Sequence, residues 1–424
     1  MLTYQQRLDS LVAELKKRGG KYESLTISKA LEHLSMDRLS FPHILVGGTN
    51  GKGSVCRVLA SVLSFSGKKT GLFITPHLLR AQERISIDGI EIQPEEFLKI
   101  HEKLEFKLKN FYEEGNRKLS FFESTFLVAL HYFQSRQIDI AIIEVGLGGR
   151  QDACAALKPM ISMVTNVSED HLHILGPGLE DVAMNKSGLI FPGVPFYYGV
   201  DDQFKNLFKS KCEVSKGTFV SRKKRLRKLR SDLRGLHGEL NWDGFWHEFS
   251  FGLRGDHQAE NLLSALTLLA LLEGPLRPKV EDILRALPKV SHSCRLEVFR
   301  QEPLIMIDGS HNQAGIACLL SWLDKVIGKN NIYLALGIKA NKDHSMISKL
   351  LQGWKFAVYQ PQGDQFLSLL KATEIYGDAY QIGPIEQIVS SFYGSYSPGK
   401  SLVFTGSLIG SAQSKEILES LISE

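Results

Sequence analysis

The chain has 424 residues, 43% of them hydrophobic, and a formal net charge of +5. This length and apolar content suit sizeable cores in two or three domains, and the mild positive balance fits nucleotides or acidic metabolites better than a dedicated nucleic-acid binder. Five cysteines, Cys56, Cys154, Cys212, Cys294 and Cys318, lack C-x-x-C spacing, which argues against a disulfide framework and a zinc site and for a reducing compartment.

Residues 1–22 carry Arg7, Glu14, Lys16, Lys17 and Arg18 and lack the apolar core of a signal peptide. The longest helix-like apolar run, residues 262–272, is too short to span a bilayer and contains Ser264 and Thr267. A cytoplasmic protein with no membrane association is expected.

Residues 43–54, H-I-L-V-G-G-T-N-G-K-G-S, pass from an apolar strand through a glycine-rich turn into a helix predicted over 55–65. Glycines let backbone N–H groups turn inward, the helix N-terminus adds partial positive charge, Lys52 can reach phosphates and Ser54 can ligate Mg2+. The hydroxyl comes one residue later than in G-x-x-x-x-G-K-[ST], because Gly53 follows Lys52.

Apolar runs and helical stretches then alternate: strand 70–74, helix 95–112, helix 121–136, strand 138–145, strand 161–167. That order predicts a mostly parallel sheet covered on both faces, with ligands beyond the C-terminal strand ends. Those ends carry Thr75-Pro76-His77, Glu144 to Asp152 and Ser168 to His171. Together with a phosphate cradle they predict a magnesium site at Ser54, Thr75, Glu144 and His171. Residues 221–235 hold eight Arg or Lys, with Leu226, Leu229 and Leu233 at helix-like spacing. Lacking interleaved aromatics, they read as a solvated excursion rather than a nucleic-acid patch. Strands 304–307, 332–336, 356–359 and 401–404 mark a second domain, with the boundary near 291–295.

The motifs G-T-N-G-K-G-S (48–54), P-H-L (76–78), F-F-E (121–123), E-V-G-L-G-G-R (144–150), D-H (170–171), H-Q-x-x-N (257–261), R-L-E (295–297), D-G-x-H-N (308–312), K-D (342–343) and T-G-S-L (405–408) resemble those of folylpolyglutamate and dihydrofolate synthases, amide ligases of the Mur superfamily. The resemblance implies an α/β fold: a P-loop-type, mostly parallel sheet domain followed by a smaller Rossmann-like domain. Residues 1–293 would be the ATP-binding domain with the pterin or folate site, and 294–424 the glutamate-binding domain. It implies ATP at Thr49, Asn50, Gly51, Lys52, Gly53 and Ser54, with Asn261, Arg295 and Asp308 around adenine and ribose. It also implies a carbamylated Lys186 as an anionic metal ligand, Ser120, Phe122 and Asp152 facing the pterin, and His311 and Ser407 contacting glutamate and phosphate.

The expected reaction joins L-glutamate to dihydropteroate or a folate through an acyl phosphate, with Lys52, Lys186 and His311 as catalytic residues, ATP and Mg2+ as cofactors, and a monomer as the working form. A peptidoglycan ligase of the Mur type is one alternative, although the chain lacks an extra N-terminal domain for a UDP-sugar. A non-enzymatic nucleotide-dependent switch is another, and it has no need of the 308–312 motif.

Overall fold

The computed structural model describes residues 2–19, 24–169 and 171–422. The chain forms two compact units, one of residues 1–227, 239–249 and 260–290, the other of residues 228–238, 250–259 and 291–424. The division after Val290 lies just ahead of the expected 293/294 boundary, and two short segments from the middle of the chain group with the second unit.

The first unit is built on eight strands: β1 His43–Gly47, β2 Thr70–Phe73, β3 Ile85–Ile87, β4 Ile90–Glu91, β5 Ile140–Glu144, β6 Ile161–Val164, β7 Pro195–Tyr198 and β8 Thr218–Val220. Their spatial order is β4-β3-β2-β5-β1-β6-β7-β8. The six strands from β2 to β8 in that order run parallel, while β3 and β4 pair antiparallel at one edge. Strands β1, β2, β5 and β6 are buried along their whole length, as expected of a sheet covered on both faces. The helix Phe121–Ser135, with Phe126, Leu127, Leu130 and Phe133 in the core, covers part of one face.

The order β2-β5-β1-β6 sets four strand ends side by side: those leading to Thr75, Glu144, the glycine turn and residues 165–171. Chain leaving β1 passes to β2 on one side, and chain leaving β5 passes to β6 on the other, so β1 sits at the switch point where such sheets bind ligands.

A separate three-stranded sheet follows, β9 Leu226–Asp232, β10 Gly235–Trp242 and β11 Phe245–Phe251, ordered β11-β10-β9. The basic segment is therefore a strand and not a helix. Only Leu226 of its three leucines is buried, and Arg227 to Arg230 are exposed. The aromatics absent from its own sequence come from its neighbours: Arg227 lies over Trp246 at 4.0 Å, and Arg225 and Arg277 flank Trp242. The expected helix 95–112 is interrupted at Leu108 into Pro94–Lys107 and Lys109–Glu113.

The second unit contains β12 Glu297–Arg300, β13 Leu304–Ile307, β14 Ile332–Leu336, β15 Lys355–Val358, β16 Gln381–Ile382 and β17 Ser401–Thr405, in the order β12-β13-β17-β14-β15-β16. Only β12 is antiparallel. Among the described residues no helix is long and apolar enough to cross a membrane.

Candidate functional site

Beyond β1, Gly48 at φ +132° and Gly51 at φ +86° take backbone conformations that side-chain-bearing residues rarely adopt. Gly51 caps the helix Lys52–Phe65, and no side chain closes that cap. The first turn therefore presents N–H groups and the positive end of a 14-residue helix. A Cβ on Gly51 would collide with Asn261 Oδ1, and one on Gly48 with Thr165.

The loop beyond β6 braces this turn. Thr49 N donates to Asn166 O at 3.1 Å and Asn50 N to Asn166 Oδ1 at 3.0 Å. Thr165 Oγ1 donates to Asn50 O at 2.6 Å, and Asn50 Nδ2 to Ser168 Oγ at 3.1 Å. The side chain of Asn50 thus shapes the turn. Lys52 curls over it, with Nζ donating to Gly48 O and Thr49 O, both at 3.1 Å. Ser54 is buried within the helix's first turn.

Of the expected metal ligands, Thr75 and Glu144 meet directly, Thr75 N donating to Glu144 Oε2 at 3.0 Å. His171 is exposed, in a left-handed conformation, at the start of the helix Leu172–Leu175; its motif partner Asp170 lies outside the described residues. Among the described residues no three His, Cys, Asp or Glu gather as a metal cluster. Ser54, Thr75 and Glu144 are all oxygen donors with a single carboxylate. That set suits Mg2+, which takes one or two protein carboxylates and completes its shell with water and phosphate oxygens. Lys186 is 3% exposed and ends the helix Leu179–Lys186; a Cβ on Gly149 would come within 3.0 Å of its Cα.

Arg84 was not foreseen. Its guanidinium is buried, donating from Nη1 to Thr75 Oγ1 at 3.0 Å and from Nε to His77 Nδ1 at 2.8 Å, and it lies over Phe121 at 5.0 Å. Because arginine only donates, His77 Nδ1 accepts and the imidazole proton sits on Nε2. Burial, then the charges of Arg84 and Lys16, push the His77 pKa down to about 3, so the ring is neutral throughout the physiological range. Burial lowers Arg84 to about 10 against the pull of Glu144. The charge of Glu144 acts on both Arg84 and Arg57, whereas Arg150, six residues on in sequence, is exposed. Nothing in sequence separated Arg84 from the other charges of its loop, since its burial depends on Phe121 and Thr75.

The expected pterin residues divide. A Cβ on Gly146 would lie 2.8 Å from Phe122 Cζ and 3.2 Å from Asp152 Oδ2, so Phe122 and Asp152 flank this glycine. Asp152 is buried and accepts Leu147 N and Cys154 N, both at 2.9 Å; desolvation raises its pKa. Ser120 caps the helix Phe121–Ser135, with Oγ donating to Glu123 Oε2 at 2.7 Å.

In the second unit, Asp308 beyond β13 accepts Leu296 N at 2.9 Å and Ser310 N at 2.8 Å, so both carboxylate oxygens brace the turn. His311 Nδ1 faces Gly309 O at 2.9 Å, and Asn312 caps the helix Gln313–Val326. Gly406 N donates to Ser310 O at 2.9 Å, joining the 308–312 turn to the segment that carries Ser407. Ser407 is buried and its Oγ accepts Gly410 N at 3.3 Å. Arg295 lies between Cys294 and Leu296, both at positive φ, and its charge reaches His257 along with that of Asp308.

A glycine cradle on the switch-point strand of a parallel sheet, with a buried carboxylate on the adjoining strand, is the architecture of a nucleotide-binding α/β protein. Residues 46–269 match the Mur ligase middle domain. A folylpolyglutamate synthase of Lacticaseibacillus casei is 30% identical over 355 residues, 81% of this chain and 81% of that one. The solved folylpolyglutamate synthase of Thermotoga maritima superposes with a TM-score of 0.86 at 25% identity, covering 99% of this chain and 98% of that one. A bifunctional folylpolyglutamate synthase/dihydrofolate synthase of Yersinia pestis, complexed with AMPPNP and Mn ion, gives 0.83 at 22% identity and covers both chains fully. The chain belongs to the folylpolyglutamate synthase and dihydrofolate synthase family of the Mur ligase superfamily, ligases that form carbon–nitrogen bonds.

Proposed function

We propose that the chain uses ATP to join L-glutamate to dihydropteroate, to folyl-(poly)glutamate, or to both. The observation that supports this most is the uncapped helix Lys52–Phe65 behind a positive-φ glycine turn, with Lys52 held over it. An acceptor carboxylate attacks the γ-phosphorus of ATP, breaking its bond to the bridging oxygen and releasing ADP. The glutamate amine then attacks the acyl carbon, phosphate leaves, and the amine gives up a proton. Lys52 and the helix N–H groups offset repulsion between carboxylate and phosphate as they approach. Mg2+, held by Ser54, Thr75 and Glu144 with His171 as a further ligand, would supply charge neutralisation at the phosphates. N-carboxylation of Lys186 would convert a cation into an anion near that ion, and its burial keeps such a carbamate from water.

In the first unit, Thr49 to Ser54 hold the phosphates and Asn261 lies beside the turn, while Phe122 and Asp152 define the pterin side. In the second, Arg295, Asp308, His311 and Ser407 serve nucleotide and glutamate. The AMPPNP and manganese of the Yersinia pestis protein support a nucleotide and a divalent cation here. Cytoplasmic action as a monomer completes the reading, with five free cysteines in keeping with a reducing compartment.

The test is ADP release with ATP, Mg2+ and L-glutamate, adding dihydropteroate, a reduced folate or a UDP-muramyl peptide in turn. Turnover with either of the first two supports the assignment, and turnover only with the third replaces it by a peptidoglycan ligase. Lys52→Ala should abolish turnover with its melting temperature unchanged; activity within about tenfold of wild type, a barrier change of only about 1.4 kcal/mol, would remove the cradle from the mechanism.

A further inference from the structure

In the proposed reaction Arg295 serves the nucleotide, and the backbone that carries it is strained on both sides. Cys294 at φ +57° and Leu296 at φ +45° both lie in the left-handed region, although neither is a glycine. Residues in that region persist only where their surroundings hold them, and they gather at sites that need a fixed geometry. The Arg295 side chain is half-buried and, among the described residues, has no hydrogen bond or ion pair of its own. Its direction therefore comes from the backbone beneath it.

Two carboxylates fix that backbone. On one side Asp308 Oδ2 accepts Leu296 N at 2.9 Å, and Gly309 N donates to Cys294 O at 2.7 Å. On the other, Glu297 folds back over the turn, its Oε2 accepting Cys294 N at 2.9 Å and Ser293 Oγ at 3.0 Å. Lys415 Nζ holds the second oxygen of Glu297 at 2.6 Å and also donates to Ser293 Oγ at 3.4 Å. This lysine stands on the helix Leu408–Ile422, four residues beyond Ser411, whose Oγ donates to Asp308 O at 2.7 Å. Residues four apart share a helix face, so one face of this helix fastens both the 308–312 turn and the turn of Arg295. The side chains of Lys415 and Glu297 are 29% and 23% exposed, and a sheltered ion pair adds little net stability over apolar groups of its size. Its value here is geometric.

We propose that Glu297 is a positioning residue for nucleotide binding: with Lys415 it holds the strained turn so that the Arg295 guanidinium is presented to the nucleotide. The inference rests on the ligase reading for the identity of the nucleotide, and it adds two residues that act through Arg295 without touching the ligand.

The experiment is calorimetric titration of the full chain with a non-hydrolysable ATP analogue and Mg2+, comparing wild type with Arg295→Ala, Glu297→Gln, Lys415→Met and the double variant that joins the first two. Arg295→Ala should weaken binding about 10- to 100-fold, the scale of a hydrogen bond to a charged group. Glu297→Gln should weaken it about tenfold, and Lys415→Met, which leaves the carboxylate in place, by less than that but by more than about twofold. Residues that act as one unit are not additive, so in the Arg295→Ala background Glu297→Gln should cost less than about a further twofold. A glutamate with a merely structural role would give two independent losses that multiply, and that result overturns the proposal. An affinity within about twofold of wild type in Arg295→Ala or in Glu297→Gln overturns it as well. Should Glu297→Gln fail to fold, Lys415→Met alone and with Arg295→Ala carries the same test, and an unchanged affinity or multiplying losses there overturn the proposal. Because the readout is binding, a wild-type chain that takes the analogue yet ligates glutamate to no pterin or folate removes the ligase reading and leaves the positioning role standing.

Discussion

Gly51 shows how much one residue decides in this fold. Its φ of +86° lies in the left-handed region, and a Cβ there would meet Asn261 Oδ1. Gly51→Ala should cost about 1–2 kcal/mol from backbone strain alone. Because Asn261 must also move, nucleotide affinity should fall by more than about tenfold, measurable by calorimetric titration with a non-hydrolysable ATP analogue. Unchanged affinity would separate this turn from nucleotide binding.

His43 makes a prediction about pH. It is 4% exposed at the start of β1, its Nε2 has no hydrogen-bond partner, and burial lowers its pKa from 6.5 to about 4. Below pH 6.5 the unfolded chain takes up a proton that the native chain refuses until near pH 4. The stability this group contributes is therefore complete above pH 6.5 and is lost as pH falls through that window, at up to about 1.4 kcal/mol per pH unit. His43→Gln should lose roughly 2 kcal/mol less than wild type between pH 7 and pH 4.5 in urea unfolding. Identical losses would contradict the assignment.

At this scale the cradle was legible from sequence, because glycine, lysine and hydroxyl spacing constrain backbone chemistry directly. What Asn50, Ser120 and Asp308 do was not. Each is a polar residue in a binding motif that turns out to satisfy backbone or side-chain groups of its own loop or helix, a role set by where neighbouring N–H groups point.

Among the elements, the helix Phe121–Ser135 depends on its first turn. Glu123, 4% exposed, accepts Ser120 N at 2.8 Å and Ser120 Oγ at 2.7 Å, and Arg117 grips its carboxylate through Nη1 and Nη2 at 2.9 and 2.8 Å. Glu123→Ala would leave a partly buried guanidinium and the Ser120 N–H without this carboxylate, so chemical denaturation should show a loss of about 3 kcal/mol. A loss below about 1 kcal/mol would mean that water replaces the carboxylate, and that the box does not hold the helix.

The strands of the large sheet were legible where they are buried on both faces, as residues 140–144 and 161–164 are, since a continuous apolar run marks such a strand. The apolar reading overshot β6 because residues 165–167 look like strand but leave it to brace the glycine turn. It failed at β9, where Arg227 to Arg230 all face solvent and helix-like leucine spacing recorded no buried face. Pairing with β10 decides that segment, and partner choice is not written in local periodicity.

For the whole molecule, strand order turns a linear list of motifs into a site. Thr75, Glu144 and the glycine turn are distant in sequence, yet β2, β5 and β1 set their loops next to one another. A nucleotide bound there should stabilise the fold: an ATP analogue with Mg2+ at about 100 times its Kd should add about 2.7 kcal/mol, seen as a rise in Tm that Lys52→Ala loses. No rise in wild type would argue that the cradle is closed to nucleotides.

In the proposed reaction a carboxylate is activated by phosphorylation before an amine displaces the phosphate. Supplying an acceptor whose reactive carboxylate carries 18O, with unlabelled ATP and L-glutamate, tests this directly by mass spectrometry of the released phosphate. An acyl phosphate leaves one 18O in each phosphate formed, in step with amide product. Phosphate carrying only solvent and ATP oxygen, with both labels retained in the acceptor, would contradict it and leave a nucleotide hydrolase in place of a ligase.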